Sequence, residues 1–146
     1  MHRTFPIIAA LLALSACGAE PVAIEAPKAT VRLAAVPGRP AAGYFTFRIA
    51  GDRGALVSVA SPQAGRVELH ETMHHGTMTS MRPLERIPVR DGETLTFEPG
   101  GRHLMLFDLD RNVAAGGRID LILNFERGAP ETIAAALVPT GGDTGH

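Results

Sequence analysis

The segment GYFTFRI, residues 43–49, carries the clearest structural signal in this 146-residue chain. Phe45, Phe47 and Ile49 occupy alternate positions and therefore share one face, which is the period of a half-buried β-strand. Short strands at regular spacing, without a convincing helical period, predict a single all-β domain built as a sandwich or a barrel. The other β-type runs, separated by Gly, Pro and Asp, are residues 30–35, 55–60, 66–70, 94–97, 103–107, 118–125 and 132–138.

The two ends of the chain are predicted to lie outside this domain. Residues 1–16 combine a basic start with an apolar run that is too short to span a bilayer and is typical of a signal peptide. They lead into Leu14-Ser15-Ala16-Cys17, which resembles a bacterial lipobox. Cys17 is therefore the predicted lipidation site, and an ordinary signal peptide with an incidental cysteine is the alternative. Residues 17–29 are then a flexible tether, 30–139 the β domain and 140–146 a disordered Gly-rich tail.

The composition argues against several classes of function. The formal net charge is −1, with no basic patch, so nucleic acid is not an expected partner. Cys17 is the one cysteine of the sequence. Once it is lipidated, no thiol remains for a disulfide or for cysteine-based catalysis.

Methionine and histidine are concentrated in one part of the chain. Thioether sulfur is a soft donor and imidazole a borderline one, a mixture that suits Cu(I). The mixture suits zinc poorly, because zinc prefers thiolate, imidazole or carboxylate. Thioethers also survive in an oxidising compartment, where a cysteine pair would form a disulfide. Apart from Met1, His2 and His146, all these residues fall between positions 70 and 105: His70, Met73, His74, His75, Met78, Met81, His103 and Met105.

Strand periodicity groups some of these donors. His103 and Met105 share one face of their strand, with Leu104 and Leu106 on the other. His70 ends the strand at 66–70 and points away from its apolar side, while Met81 follows a predicted polar loop at 71–80. Taken alone, His103 would more often be a hydrogen-bonded histidine and Met105 a core residue. Loop residues could be auxiliary ligands, a capture surface or simply a polar loop: Met73, His74, His75 and Met78.

The spacing of four donors resembles a known motif. His70 is followed after ten residues by Met81, after twenty-one more by His103 and after one more by Met105. This pattern is similar to the metal motif of the periplasmic PCuAC copper chaperones. The surrounding segments AGRVELHE at 64–71, MRPL at 81–84 and PGGRHLML at 99–106 also look like that family. The resemblance covers roughly residues 30–138.

The resemblance implies a cupredoxin-like Greek-key β-sandwich that binds Cu(I) through those four residues. It further implies a periplasmic chaperone that delivers copper towards the binuclear copper centre of cytochrome c oxidase. Its acceptor would be subunit II of that oxidase or a Sco-type thiol protein. Sequestration of copper or silver for resistance is the alternative. The His-rich segment 72–76 departs from the family pattern and leaves room for a second, weaker site that could take Cu(II).

An enzyme is not predicted. A metal-dependent oxidase or hydrolase would need an open metal position together with a general acid or base. Glu68 and Glu71 flank His70, but charged residues at a strand edge are expected to be solvated. A histidine-brace oxidase would need histidine at the mature N-terminus, where this sequence has Cys17.

Overall fold

The structure of the protein is a computed structural model that describes residues 28–141. The predicted signal peptide, Cys17, the tether up to residue 27 and residues 142–146 of the predicted tail lie outside the described residues. No helix among the described residues is long and apolar enough to cross a membrane. The strands of residues 28–141 are β1 Ala29–Arg32, β2 Ala41–Arg48, β3 Ala55–Ala60, β4 Ala64–His75, β5 Met78–Leu84, β6 Ile87–Pro88, β7 Thr94–Phe97, β8 Arg102–Leu109, β9 Arg118–Phe125 and β10 Glu131–Val138.

Backbone hydrogen bonds join these strands into one ten-stranded sheet within the described part of the chain. The strands follow the order β5-β4-β8-β2-β1-β10-β9-β3-β6, and β7 pairs with β2 beside this path. Only β1 and β10 pair in parallel among the described strands. Strands β3 and β4, near the two ends of the path, also contact each other, so the sheet curls around one core. The predicted all-β, single-domain architecture is confirmed.

The core follows the alternation seen in the sequence. Phe45 and Ile49 of the opening segment are buried, and Phe45 stacks on Phe97 with ring centroids 4.4 Å apart. Phe47 is only partly buried and lies 6.1 Å from the ring of Phe125. The described residues include no cysteine and therefore no disulfide. Burial of such aromatic and aliphatic side chains supplies most of the stabilisation of this domain.

The predicted loop at 71–80 is wrong, because these residues form a β-hairpin. Strand β4 continues to His75 and pairs with β5, leaving Gly76 and Thr77 as a two-residue turn. Gly76 has φ +60, a left-handed conformation that glycine adopts without steric cost and that tight hairpins require. The sequence pattern missed this hairpin because its outer half projects beyond the core, so neither face shows apolar alternation. The strand β6 was missed because it contains only two residues, too few to show a periodic pattern.

Candidate metal centre

Pairing of β4 with β8 brings the two central histidines together. His70 lies directly opposite His103, and Glu68 lies opposite Met105. Side chains that are directly opposite on antiparallel strands share a face of the sheet, with Cβ atoms about 4.5–5.5 Å apart. The two imidazole rings have centroids 5.9 Å apart and planes inclined by 39°. Residues more than thirty positions apart in the sequence therefore meet in one site.

Strand β5 brings the fourth predicted donor to the same face. Met81 lies opposite Thr72 of β4, and Thr72 is two residues after His70. Because side chains alternate along a strand, Met81, Thr72 and His70 share a face. We call this surface of β5, β4 and β8 the ligand face, and its four predicted donors are His70, Met81, His103 and Met105.

Apolar residues on the opposite side hold the ligand face in place. Leu104 and Leu106 are fully buried on β8, and Leu69 is buried on β4. Since each alternates with a ligand-face residue, burial of these leucines directs His70, His103 and Met105 to the other side of the sheet. The alternation predicted for residues 103–107 is observed.

One nitrogen of each imidazole is held by the protein. His70 donates from Nε2 to a carboxylate oxygen of Glu68 at 2.9 Å, and His103 donates from Nδ1 to the Gly101 carbonyl oxygen at 3.1 Å. A neutral imidazole that donates from one nitrogen has a lone pair on the other. These hydrogen bonds therefore define the tautomer of each ring and its orientation.

The second nitrogen of each ring is buried and has no hydrogen-bond partner among the described residues. These atoms are Nδ1 of His70 and Nε2 of His103. A buried polar atom without a partner costs about 1–3 kcal/mol, so such atoms in a native fold call for an explanation, such as a bound ion or an ordered water. Both atoms therefore present unused lone pairs at the ligand face.

Glu68 contacts the ligand face in a way that sequence reasoning did not identify. It is not simply solvated: it accepts hydrogen bonds from His70 and, at 2.8 Å, from Nε of Arg66. The hydrogen bond from His70 is the largest cause that lowers the pKa of Glu68; desolvation opposes it, and the charge of Arg66 lowers the pKa further. The two-residue spacing between Glu68 and His70 was the signal that could have revealed this contact.

The two methionines of the ligand face differ in accessibility. Met81 lies on the edge strand β5 and is 59% exposed, whereas Met105 lies on β8 inside the sheet and is partly buried. His103, only 4% exposed, is the most buried of the four donors. The ligand face is consequently closed on its β8 side and open to solvent on its β5 side.

The structure separates the four predicted auxiliary residues. His74 is on the ligand face, where its Nε2 lies 3.3 Å from the Gly100 carbonyl oxygen. Alternation along the hairpin places Met73, His75 and Met78 on the opposite face. Within residues 28–141, no group of three or more His, Cys, Asp or Glu side chains is placed to hold a metal ion.

The ligand face combines two neutral nitrogen donors with two thioether sulfurs. Such a set carries no charge of its own and offers no acidic proton at the donor atoms. It is suited to hold a soft cation by neutral ligands, each of which can be displaced separately.

Comparisons with known proteins agree with this architecture. Residues 22–137 match the family described as "lipoprotein LpqE-like". A protein of Leifsonia xyli subsp. xyli (strain CTCB07), named "lipoprotein Lxx21020", is 30% identical over 90% of this chain and 86% of its own.

Solved structures of PCuAC domains are similar as well. The Cu(I) form of DR1885 from Deinococcus radiodurans is 32% identical, with a TM-score of 0.58, over 87% of this chain and 85% of that protein. The copper-bound PCuAC domain from PmoF2 is 23% identical, with a TM-score of 0.60, over 77% of this chain and 91% of that domain. These likenesses confirm the predicted cupredoxin-like β fold. The chain therefore belongs to the LpqE-like lipoprotein family and has the PCuAC-type domain that its sequence motif predicted.

Proposed function

We propose that this protein is an exported metallochaperone that binds one Cu(I) ion through His70, Met81, His103 and Met105. The observation that carries the proposal is the pair of buried imidazole nitrogens that have no hydrogen-bond partner within residues 28–141, on the same face as two thioethers. Soft and borderline neutral donors are what Cu(I) prefers. Similarity to the Cu(I) form of DR1885 supports Cu(I) as the bound ion.

Transfer of the ion fits the site better than catalysis. A donor protein must release copper to an acceptor, and neutral ligands can be displaced singly by the thiolates of a partner. Exchange would begin at Met81, the most exposed of the four donors, and end at His103, the most buried. Glu68, the carboxylate beside the site, is held by His70 and Arg66 and serves to orient His70. We therefore propose a binding protein and not an enzyme.

The proposed acceptor is a copper protein of the cell envelope. Delivery towards the binuclear copper centre of cytochrome c oxidase, in subunit II directly or through a Sco-type thiol protein, follows from the family resemblance. The same donors would also serve sequestration of copper or silver, which is the alternative function. The two differ in whether the bound ion has a dedicated recipient.

The proposed location is the periplasm, with the protein anchored to a membrane through a lipid on Cys17. Support comes from the lipobox-like Leu14-Ser15-Ala16-Cys17 and from the lipoprotein names of the family and of the Leifsonia relative. Residues between Cys17 and β1 then act as the tether.

Replacing either methionine of the ligand face by leucine is expected to weaken Cu(I) binding by more than about tenfold, because one sulfur donor is lost. Leucine and methionine have similar volumes, so thermal unfolding of the metal-free Met105→Leu variant should change little. The measurement is anaerobic competition titration with Cu(I), together with X-ray absorption to count two sulfur and two nitrogen neighbours. Thr79→Ala, on the same face of β5, is the control. Unchanged affinity of Met105→Leu would make Met105 a packing residue only.

Removing the carboxylate of Glu68 is expected to weaken Cu(I) binding without removing a ligand. Loss of a group that orients a metal-binding histidine typically reduces affinity about 10–100-fold, and Glu68→Ala should fall in this range. Glu68→Gln keeps an oxygen that accepts from His70 and should recover much of the loss. Glu71→Ala is the matched control, because Glu71 lies on the other face, paired with Arg82 at 2.8 Å. Equal effects of Glu68→Ala and Glu71→Ala would contradict this role.

Deleting the gene is expected to separate delivery from sequestration. If the protein delivers copper, the deletion strain should lose cytochrome c oxidase activity at limiting copper and recover it when copper is added in excess. Complementation with the wild-type gene should restore activity, whereas the Met81→Leu and Met105→Leu double variant should not. Increased sensitivity to copper or silver with normal oxidase activity would instead establish sequestration.

Replacing Cys17 by alanine is expected to abolish lipid attachment, because the alkylated sulfur is gone. The test is incorporation of a labelled fatty acid in a bacterial host, followed by fractionation into membrane and soluble material. Wild-type protein should be labelled and membrane-bound. A wild-type protein that takes up no label would show that residues 1–16 are an ordinary signal peptide.

A further inference from the structure

The tip of the β4–β5 hairpin carries a second group of soft donors that the ligand face does not use. Met73 and His75 lie on β4 and Met78 on β5, all on the side of the sheet opposite to the ligand face. We propose that these three residues form a separate site for one Cu(I) or Ag(I) ion. This site is independent of the four donors of the proposed chaperone centre.

Strand register places the three donors close together. His75 and Met78 are directly opposite across the two-residue turn, so their Cβ atoms are about 4.5–5.5 Å apart. Met73, one step back along the same face, is diagonal to Met78 at roughly 7–8 Å. Methionine is long, unbranched and flexible, so both sulfurs can reach an ion held beside the His75 ring.

The donors at the hairpin tip are arranged on their strands in the same way as those of the ligand face. There, His103 and Met105 are two residues apart on β8 and are joined by a donor from the neighbouring strand β4. At the hairpin tip, Met73 and His75 are two residues apart on β4 and are joined by Met78 from β5. Each group needs only regular antiparallel pairing to assemble.

The exposure of Met78 is not explained by packing. Met78 is 74% exposed, the highest value among the exposed large hydrophobic residues of the described part of the chain. Met73 is partly buried and His75 is exposed. Methionine used as core filler is enclosed by other apolar side chains, whereas the exposed thioether of Met78, beside the exposed imidazole of His75, is available to a metal.

The donor set determines which ion would bind. Two thioethers and one imidazole favour a soft monovalent cation, whereas Cu(II) would need more nitrogen or oxygen donors. His74, the neighbouring imidazole on β4, is on the ligand face and cannot join this group. The next charged pair on the same face is Glu71 with Arg82, which neutralise each other. The site therefore binds a single positive charge without a carboxylate.

Affinity at the hairpin tip should be lower than at the ligand face. It has three donors instead of four, and Met78 is largely exposed to water, which competes for the ion. The described structure shows orienting hydrogen bonds for His70 and His103 at the ligand face. An accessible, weaker site at the end of a hairpin is suited to the capture of ions that arrive from solution.

The test is anaerobic titration of the full chain with Ag(I), monitored through the ¹³C-labelled methyl groups of methionine. The first equivalent should shift the Met81 and Met105 signals and the second equivalent the Met73 and Met78 signals. Met73→Leu with Met78→Leu should abolish only the second event, and Met81→Leu with Met105→Leu should leave one ion bound at the tip. His75→Gln should weaken the second event, with His74→Gln as the matched control.

Three results would overturn the proposal. They are saturation of the wild type at one equivalent, two bound ions in the Met73→Leu and Met78→Leu variant, or equal loss of the second ion in His74→Gln and His75→Gln. The chaperone centre is judged separately: if Met81→Leu with Met105→Leu binds as many ions as the wild type, the ligand face fails and the hairpin site stands.

Discussion

The antiparallel pairing of β4 with β8 is the constraint on which the site depends. It sets His70 against His103 and leaves Leu69 and Leu104 paired on the buried side. A slip of one residue in either strand would turn that strand's leucines towards solvent and its histidine into the core, at a large cost in buried apolar area. The hydrophobic core therefore enforces the register, and the register assembles the donors.

Preorganisation of the imidazoles is the second consequence of this pairing. Glu68 precedes His70 by two residues, so both side chains lie on the same face and Glu68 can accept a hydrogen bond from Nε2 of His70. The carbonyl oxygen of Gly101 accepts a hydrogen bond from Nδ1 of His103. A soft ion then meets two rings whose free nitrogens are already defined, so little orientation entropy is lost on binding. Among the described residues these nitrogens have no partner, and the stabilisation supplied by the surrounding core offsets that energetic cost.

The hairpin of β4 and β5 extends the sheet beyond its core and gives the proposed metal-binding region two sides. Met81 is presented on one side at the open edge, where an acceptor could approach it, while Met73, His75 and Met78 are presented on the other. This geometry separates a well-enclosed position for holding an ion from accessible donors for exchange and capture. The low apolar content of the hairpin leaves it to be held by backbone pairing more than by burial.

Local sequence determined eight of the ten described strands, all except β5 and β6, and the softness of the donor set, since side-chain period and ligand chemistry are properties of neighbouring residues. It also placed His103 and Met105 on one face of β8. Tertiary structure alone decided the hairpin at 71–80, the pairing of His70 with His103 and the separation of His74 from His75. These features depend on hydrogen-bond register between strands that are distant in sequence or polar on both faces, and no local periodicity encodes that register.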